Sequence, residues 1–297
     1  MKNIICLSLL SLLVSASALA GVAKDSLKLT LNGVTQKTFT MGEIRKMKSS
    51  EVDFINADGS KGEGYPGVSF ADLVAASKIN FDQVVEVEFV ATNGYKYYVN
   101  KAAFARTVLL SYERTGQKKF ERYSSKEEMI VQLGPYYLIW DYAGITEEEK
   151  PLYHSVYQVN EINFETSAIT FGIHEKDESN TVVTGYNTYK KYCLSCHAIN
   201  GVGGSLSSNL MQTKVIEEKG ADYVIKYALD PKSVNPESKM LPLPAFKNRE
   251  AMAKSVVDFL KFLKDPSVES KKHAADKAHV DMLKEIIREM SGNNFNH

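Results

Sequence analysis

Cysteine is scarce in this chain, with three among 297 residues, and so few cannot build the disulfide framework of a small secreted scaffold. An excess of one charge is also lacking, since 36 Lys and Arg stand against 36 Asp and Glu. A formal charge of zero offers no bulk field to phosphate backbones, and no basic run interleaved with aromatics replaces it, which argues against nucleic acid as a partner. Beyond the N-terminus no apolar run reaches the roughly 20 residues of a bilayer span, which argues against a multi-span membrane protein. With 44% hydrophobic and 24% charged residues, the remaining expectation is an ordinary globular chain long enough for two domains.

The N-terminus reads as an address. Lys2 precedes an apolar stretch at 4–14, and Ala18-Leu19-Ala20 has the small-x-small pattern of a signal peptidase site. Residues 1–20 are therefore expected to be a signal peptide and Gly21 the mature start, with an uncleaved anchor as the alternative. Export and a periplasmic location follow, with no integral membrane segment after cleavage. Cys6 leaves with the signal, so Cys193 and Cys196 are the mature cysteines.

Those two cysteines lie in Cys193-Leu194-Ser195-Cys196-His197, a C-x-x-C-H of the kind that attaches c-type haem. Two thiols three apart on one turn can reach the two vinyl carbons on one porphyrin edge, and the adjacent imidazole can then reach the iron. A local disulfide or half of a zinc site is the alternative, although zinc needs two further ligands. The sixth ligand is sought among Met211, Met240 and Met252. Met252 lies in a stretch with helical apolar spacing at Val256, Val257, Leu260 and Leu263, and Met211 closely follows the glycine-rich loop at 201–204. Met240 stands before Leu241-Pro242-Leu243-Pro244, in a loop that prolines keep from becoming helix, and is the expected ligand.

With these residues, 185–264 resembles a class I cytochrome c domain. Gly185 and Tyr189 match the glycine and aromatic of the family's N-terminal helix, and residues 193–197 match its haem-binding motif. Asp230-Pro231-Lys232 and the run from Asn235 to Met240 resemble its loop to the axial methionine, while Phe259 and Phe262 fall on its closing helix. The resemblance implies an all-α domain holding one haem c through Cys193, Cys196, His197 and Met240. Two departures stand out: Leu241 follows Met240 where the family usually has proline, and the family's proline near Ser208 is missing, leaving open what accepts the hydrogen bond of the His197 ring.

The rest of the chain alternates strand and helix signals. Leu27, Leu29 and Leu31 alternate with polar residues up to an Asn32-Gly33 turn, with Val34 beyond it. Thr40-Met41-Gly42-Glu43 reads as a capping box opening a helix over 41–48, and Ser69 caps a helix over 70–77. Strands are expected at 84–91, 96–100, 107–112, 136–141 and 157–165, so this part is a mixed α+β domain. Asn32-Gly33-Val34, the run from Tyr65 to Leu73, Thr92-Asn93-Gly94-Tyr95 and the run from Leu133 to Leu138 make it similar to the molybdopterin-binding domain of the sulfite oxidase family. That family holds molybdenum through a cysteine before the Gly67-Val68 landmark, whereas no cysteine occurs from residue 24 to 192. Asn56, Asp58 or Ser60 would replace a soft thiolate poorly, so no molybdopterin is expected. His154 and His174 stand singly and read as surface or packing residues.

The expected organisation is a signal peptide at 1–20, a sulfite-oxidase-like domain at 24–172, a linker at 173–184, a cytochrome c domain at 185–264 and a tail at 265–297. In the tail, Val280, Leu283, Ile287 and Met290 share one helix face, for packing on the chain itself or for a partner. Charge divides unevenly: residues 24–184 hold 18 basic against 23 acidic residues, net −5, and 185–264 hold 12 against 7, net +5. Three readings are open for this split: steering towards redox partner proteins with acidic docking surfaces, a scatter of solvated lysines, or docking of the two domains on each other. The function expected is single-electron transfer by a mono-haem cytochrome whose first domain binds a partner or ligand without catalysis. The alternatives are an oxidoreductase passing electrons to the haem and a haem-based sensor.

Overall fold

The computed structural model describes residues 25–55, 61–124, 129–146, 153–173, 179–245, 247–265 and 267. The expected signal peptide, Asn56, Asp58, Ser60, His174 and the amphipathic tail segment lie outside them. The fold is mixed α/β, a large sheet followed by helices.

The first hairpin, β1 (Leu27–Leu31) and β2 (Val34–Phe39), turns at Asn32 and Gly33, both with positive φ. Thr40 then caps α1 (Met41–Ile44) with the expected reciprocal box, Glu43 N to Thr40 Oγ1 at 3.2 Å and Thr40 N to Glu43 Oε2 at 2.8 Å. This helix stops short of Lys48, and β3 (Ser49–Ile55) and β4 (Lys61–Ser69) follow. Ser69 caps α2 (Phe70–Ser77) over its expected span, accepting from Asp72 N at 3.0 Å. Next come β5 (Glu86–Ala91) and β6 (Lys96–Asn100), a hairpin turned at Asn93-Gly94, then β7 (Val108–Ser111), a small ribbon of β8 (Glu121–Ser124) and β9 (Met129–Gln132), β10 (Tyr136–Trp140) and β11 (Val156–Glu165).

Nine strands form one sheet in the order β2-β1-β11-β10-β7-β4-β3, with β5 and β6 branching from β11. β11 can serve three neighbours because it is long and bends. Its second half runs parallel to β1 and antiparallel to β5, its first half pairs with β10, and Gln158 between them has φ 63°. β10 is buried along its whole length. Tyr136, Leu138 and Trp140 face a core under α2 with Phe70, Phe89 and Phe164, whereas Tyr137 and Ile139 face a second core with Tyr65 and Val52. That explains why β10 reads as a continuous apolar run instead of alternating.

On β1, β5, β6 and β11 one face is apolar (Leu27, Leu29, Val87, Phe89, Val99, Phe164) and the other is polar (Lys28, Thr30, Glu86, Glu88, Lys96, Tyr98, Asn163). Part of the polar face is withdrawn from solvent: Thr30 is 1% exposed, Glu86 4% and Glu88 6%. What covers it is α3 (Asn180–Tyr192) with the chain at 169–173.

α3 starts five residues before the expected domain start, inside the span read as linker, because Ser179 caps it by accepting from Val182 N. The chain continues through a two-residue ribbon of β12 (Ala198–Ile199) and β13 (Val202–Gly203), then α4 (Val215–Lys219), α5 (Ala221–Leu229), α6 (Pro231–Val234) and α7 (Arg249–Lys264). This part is thus helical but for one ribbon. Ile173, expected in the linker, is 4% exposed in its core, and Ile169 and Phe171 pack beside it. Among the described residues no helix is long and apolar enough to cross a membrane.

α3 and α7 cross where Gly185 meets Ser255 and Phe259. A Cβ on Gly185 would come within 1.9 Å of the Ser255 carbonyl oxygen and 2.8 Å of Phe259 Cβ. Backbone cannot swing aside as a flexible side chain can, so Gly185→Ala should lower the unfolding free energy by about 1–3 kcal/mol in denaturant titration. Unchanged stability would show that the helices do not cross this closely.

Candidate functional site

The last turn of α3 delivers the Cys-x-x-Cys-His run. Lys190 and Lys191 sit in that turn, where cations complement the helix dipole. The Tyr189 carbonyl accepts from Cys193 N at 2.8 Å and Leu194 N at 2.9 Å, and the Cys193 carbonyl accepts from Cys196 N at 3.1 Å and His197 N at 2.9 Å. These bonds wind residues 193–197 into a tight turn whose anchor, Leu194, is wholly buried. Cys193 and Cys196 are free thiols, not a disulfide. Burial, followed by the neighbouring Cys196, pushes the Cys193 thiol up to about 12.

The open question about the His197 ring has a geometric answer. Its Nδ1 lies 3.3 Å from the Ser208 carbonyl oxygen, so donation there keeps the proton on Nδ1 and leaves the Nε2 lone pair free for a metal. Burial lowers the pKa of His197, with the Ser208 carbonyl opposing, which favours the neutral ring a ligand needs. The Ser208 carbonyl therefore supplies the acceptor that the sequence left open.

Two glycines press the following loop onto the turn. A Cβ on Gly204 would lie 1.9 Å from the Ser195 carbonyl oxygen, and one on Gly203, at φ 121°, 2.5 Å from that of His197. Further along the chain two apolar side chains stand open, Leu206 at 47% and Leu241 at 53% exposure. On α5 the apolar residues Tyr223, Val224, Ile225, Tyr227 and Leu229 are only half-buried.

The three methionines fall differently. Met211 packs against the core of Tyr189 and Phe259, and Met252 is half-buried on α7. Met240, also half-buried, belongs to a loop tied at both ends. Tyr227 Oη donates to Ser238 Oγ at 2.9 Å, Met240 N donates to the same oxygen at 3.3 Å, and Leu243 N donates to the Ala228 carbonyl at 2.8 Å. Cys193, Cys196 and His197 thus share one turn, while Met240 comes from a separate, braced loop. Among the described residues no group of three or more His, Cys, Asp or Glu side chains is placed to hold a metal ion. His154 packs its ring 5.4 Å from that of Tyr97.

Sequence reasoning missed the contribution of the sheet. The turn of the β5–β6 hairpin lies against the motif: Lys96 N donates to the Ser195 carbonyl at 3.1 Å, and Ser205 N to the Gly94 carbonyl at 2.9 Å. The Tyr95 phenol also bonds the Ser195 side chain. Asn93-Gly94 signals a hairpin, but nothing in it announces a tertiary partner. At the far end of the hairpin, Phe81, Val84, Val85, Asn100, Lys101 and Phe104 line an open groove of about 560 Å³. Compared with protein-family models and with curated proteins, the chain matches none.

Thiol chemistry checks this geometry. The thiolate is the reacting form, so iodoacetamide at pH 8 should leave Cys193 unmodified in the folded, haem-free chain and label it in urea, as read by peptide mass spectrometry. Rapid labelling of Cys193 in the folded chain would contradict the raised pKa of its thiol.

Proposed function

We propose that the protein is an exported, periplasmic c-type cytochrome that passes single electrons between partner proteins. In this reading residues 185–264 form a cytochrome c domain, and a sulfite-oxidase-like domain without its metal-binding cysteine supports it. The observation that carries the reading is the turn at 193–197, with two free thiols three apart and an adjacent imidazole oriented by the Ser208 carbonyl.

A covalently bound haem c supplies reversible one-electron exchange at its iron. Cys193 and Cys196 would hold it through thioether bonds, and His197 Nε2 and Met240 Sδ would ligate its iron. The chain's own residues then have distinct tasks. Ser208 fixes the imidazole tautomer, the Tyr227–Ser238 bond and the Leu243 tie hold the Met240 loop, and Leu206, Leu241 and the α5 side chains exclude water from the edge. A sulfur ligand favours the reduced iron and so raises the potential.

Thioether bonds survive denaturation, so haem staining of a denaturing gel should follow the wild type and vanish in the Cys193→Ala/Cys196→Ala double variant. Retained stain would end the reading, and stoichiometric molybdenum in the purified protein would favour an oxidoreductase instead.

Met240→Ala should abolish the weak far-red band of methionine-ligated ferric haem and lower the reduction potential, whereas Met211→Ala, within the core, should do neither. The reverse result would transfer the ligand role to Met211.

A further inference from the structure

The β5–β6 hairpin holds the helical unit at two places, and one of them is charged. At the start of β5 the Glu86 side chain is 5% exposed; its Oε1 meets Lys190 Nζ of α3 at 2.8 Å and its Oε2 accepts from Ile169 N at 3.1 Å. Lys190 Nζ also donates to the Ile169 carbonyl at 3.4 Å. The neighbouring Glu88 is served from within the sheet, by Lys96 at 2.9 Å, so Lys190 is the charge that α3 itself brings to these carboxylates. At the turn of the hairpin, Lys96 N donates to the Ser195 carbonyl and Ser205 N to the Gly94 carbonyl. The other carbonyls of 193–197 find donors within the helical unit: Cys196 N and His197 N for Cys193, Gly204 N for Leu194, Ser207 N for Cys196, and Tyr189 Oη for His197. Only Ser195, between the two thiols, takes its donor from the sheet.

We propose that the Glu86–Lys190 pair is a charge lock that sets the register of α3 on the sheet, so that the β5–β6 turn completes and positions the Cys193–His197 turn. The sheet is then the built-in docking partner of the motif, and Glu86 and Lys190 are positioning residues. Lys190 precedes Cys193 by three residues in the last turn of α3, so helix geometry couples the two. A slip of α3 by one turn would carry the cation about 5.4 Å from Glu86 and draw the Ser195 carbonyl off the Lys96 amide. The slipped arrangement would leave a buried carboxylate without its cation, which is far more costly than the intact pair is stabilising. The pair therefore discriminates between seatings of α3 more than it adds adhesion. Its two members are unequal: the Lys190 side chain is 23% exposed and can turn to water, whereas Glu86 cannot. That the positioned turn carries haem rests on the electron-transfer reading; the lock itself does not.

Hydrogen exchange on the haem-free full chain tests the lock. Lys190→Met should lower protection at the Ile169, Lys96 and Ser205 amides by roughly tenfold or more, while amides inside α7 hold steady. Glu86→Gln should lower it less, because glutamine still accepts from Ile169 N and the lysine left behind reaches solvent. Adding Glu86→Gln to Lys190→Met should restore much of the lost protection, since no orphaned charge remains. Undiminished protection in Lys190→Met, or a double variant as open as Lys190→Met alone, would overturn the proposal. A loss shared equally by α7 would reject positioning in favour of destabilisation of the whole fold. Should Lys190→Met fail to fold, the double variant decides: a folded chain protected at Lys96 and Ser205 supports the lock, and an unfolded one rejects it. Haem staining of the wild type is untouched by any of these results, so this inference and the electron-transfer reading fail separately.

Discussion

One phenol ties the helix, the core and the motif together. Tyr189 is wholly buried, and its ring packs against Phe171 at 5.8 Å and Phe259 at 5.7 Å. Its carbonyl receives Cys193 N and Leu194 N, and its hydroxyl donates to the His197 carbonyl at 2.7 Å. The turn at 193–197 is therefore held from both ends by a residue that cannot move without opening the α3–α7 crossing. Burial also raises its phenol well above the usual value, so it stays a neutral donor. Positioning of the two thiols and the imidazole is thus a consequence of core packing, not of the loop's own preferences.

The sheet and the helices meet through polar atoms. Lys190 crosses to Glu86, Tyr186 Oη donates to the Ile169 carbonyl at 2.7 Å, and the β5–β6 turn bonds to residues 195 and 205. The split of charge along the sequence, acidic before 184 and basic after, is used here at least once, since Glu86 and Lys190 come from its two sides. Apolar side chains join in at Tyr98, Ile169 and Phe171. Contacts of this kind give register more than adhesion, because each hydrogen bond and ion pair replaces one made to water. Gly94 shows how close the register is, since a Cβ there would lie 2.2 Å from Ser205 Oγ.

Where local signals and tertiary demands agreed, the elements were legible from residues alone. The Asn32-Gly33 turn, the Thr40 box, the Ser69 cap and the strand at 96–100 formed as read. β3 and β4 were not foreseen because Gly62, Gly64, Pro66 and Gly67 read as loop. Gly67 is required there, as a Cβ would lie 2.3 Å from the Leu110 carbonyl oxygen across the sheet. The start of α3 was hidden by the polar run before it, in which Ser179 caps the helix. Within the site, the Cys193–His197 spacing was plain, but Ser208 was invisible: its contribution is a carbonyl, which every residue has.

The two surfaces of the helical unit differ in a way that orders their uses. The surface turned to the sheet meets carboxylates and backbone amides, which require geometry and charge from their partner. Elsewhere Leu206, Leu241 and the half-buried Val224, Ile225 and Leu229 of α5 offer apolar contact area. A flat apolar group gains from the second kind of surface and would be penalised at the first, where carboxylates would lose their partners. The chain's own sheet occupies the polar side and braces Ser195 through the Lys96 amide. The loop bearing Met240 is fastened to α5 through Ser238 and Leu243, so the helix that exposes these apolar side chains also fixes the methionine.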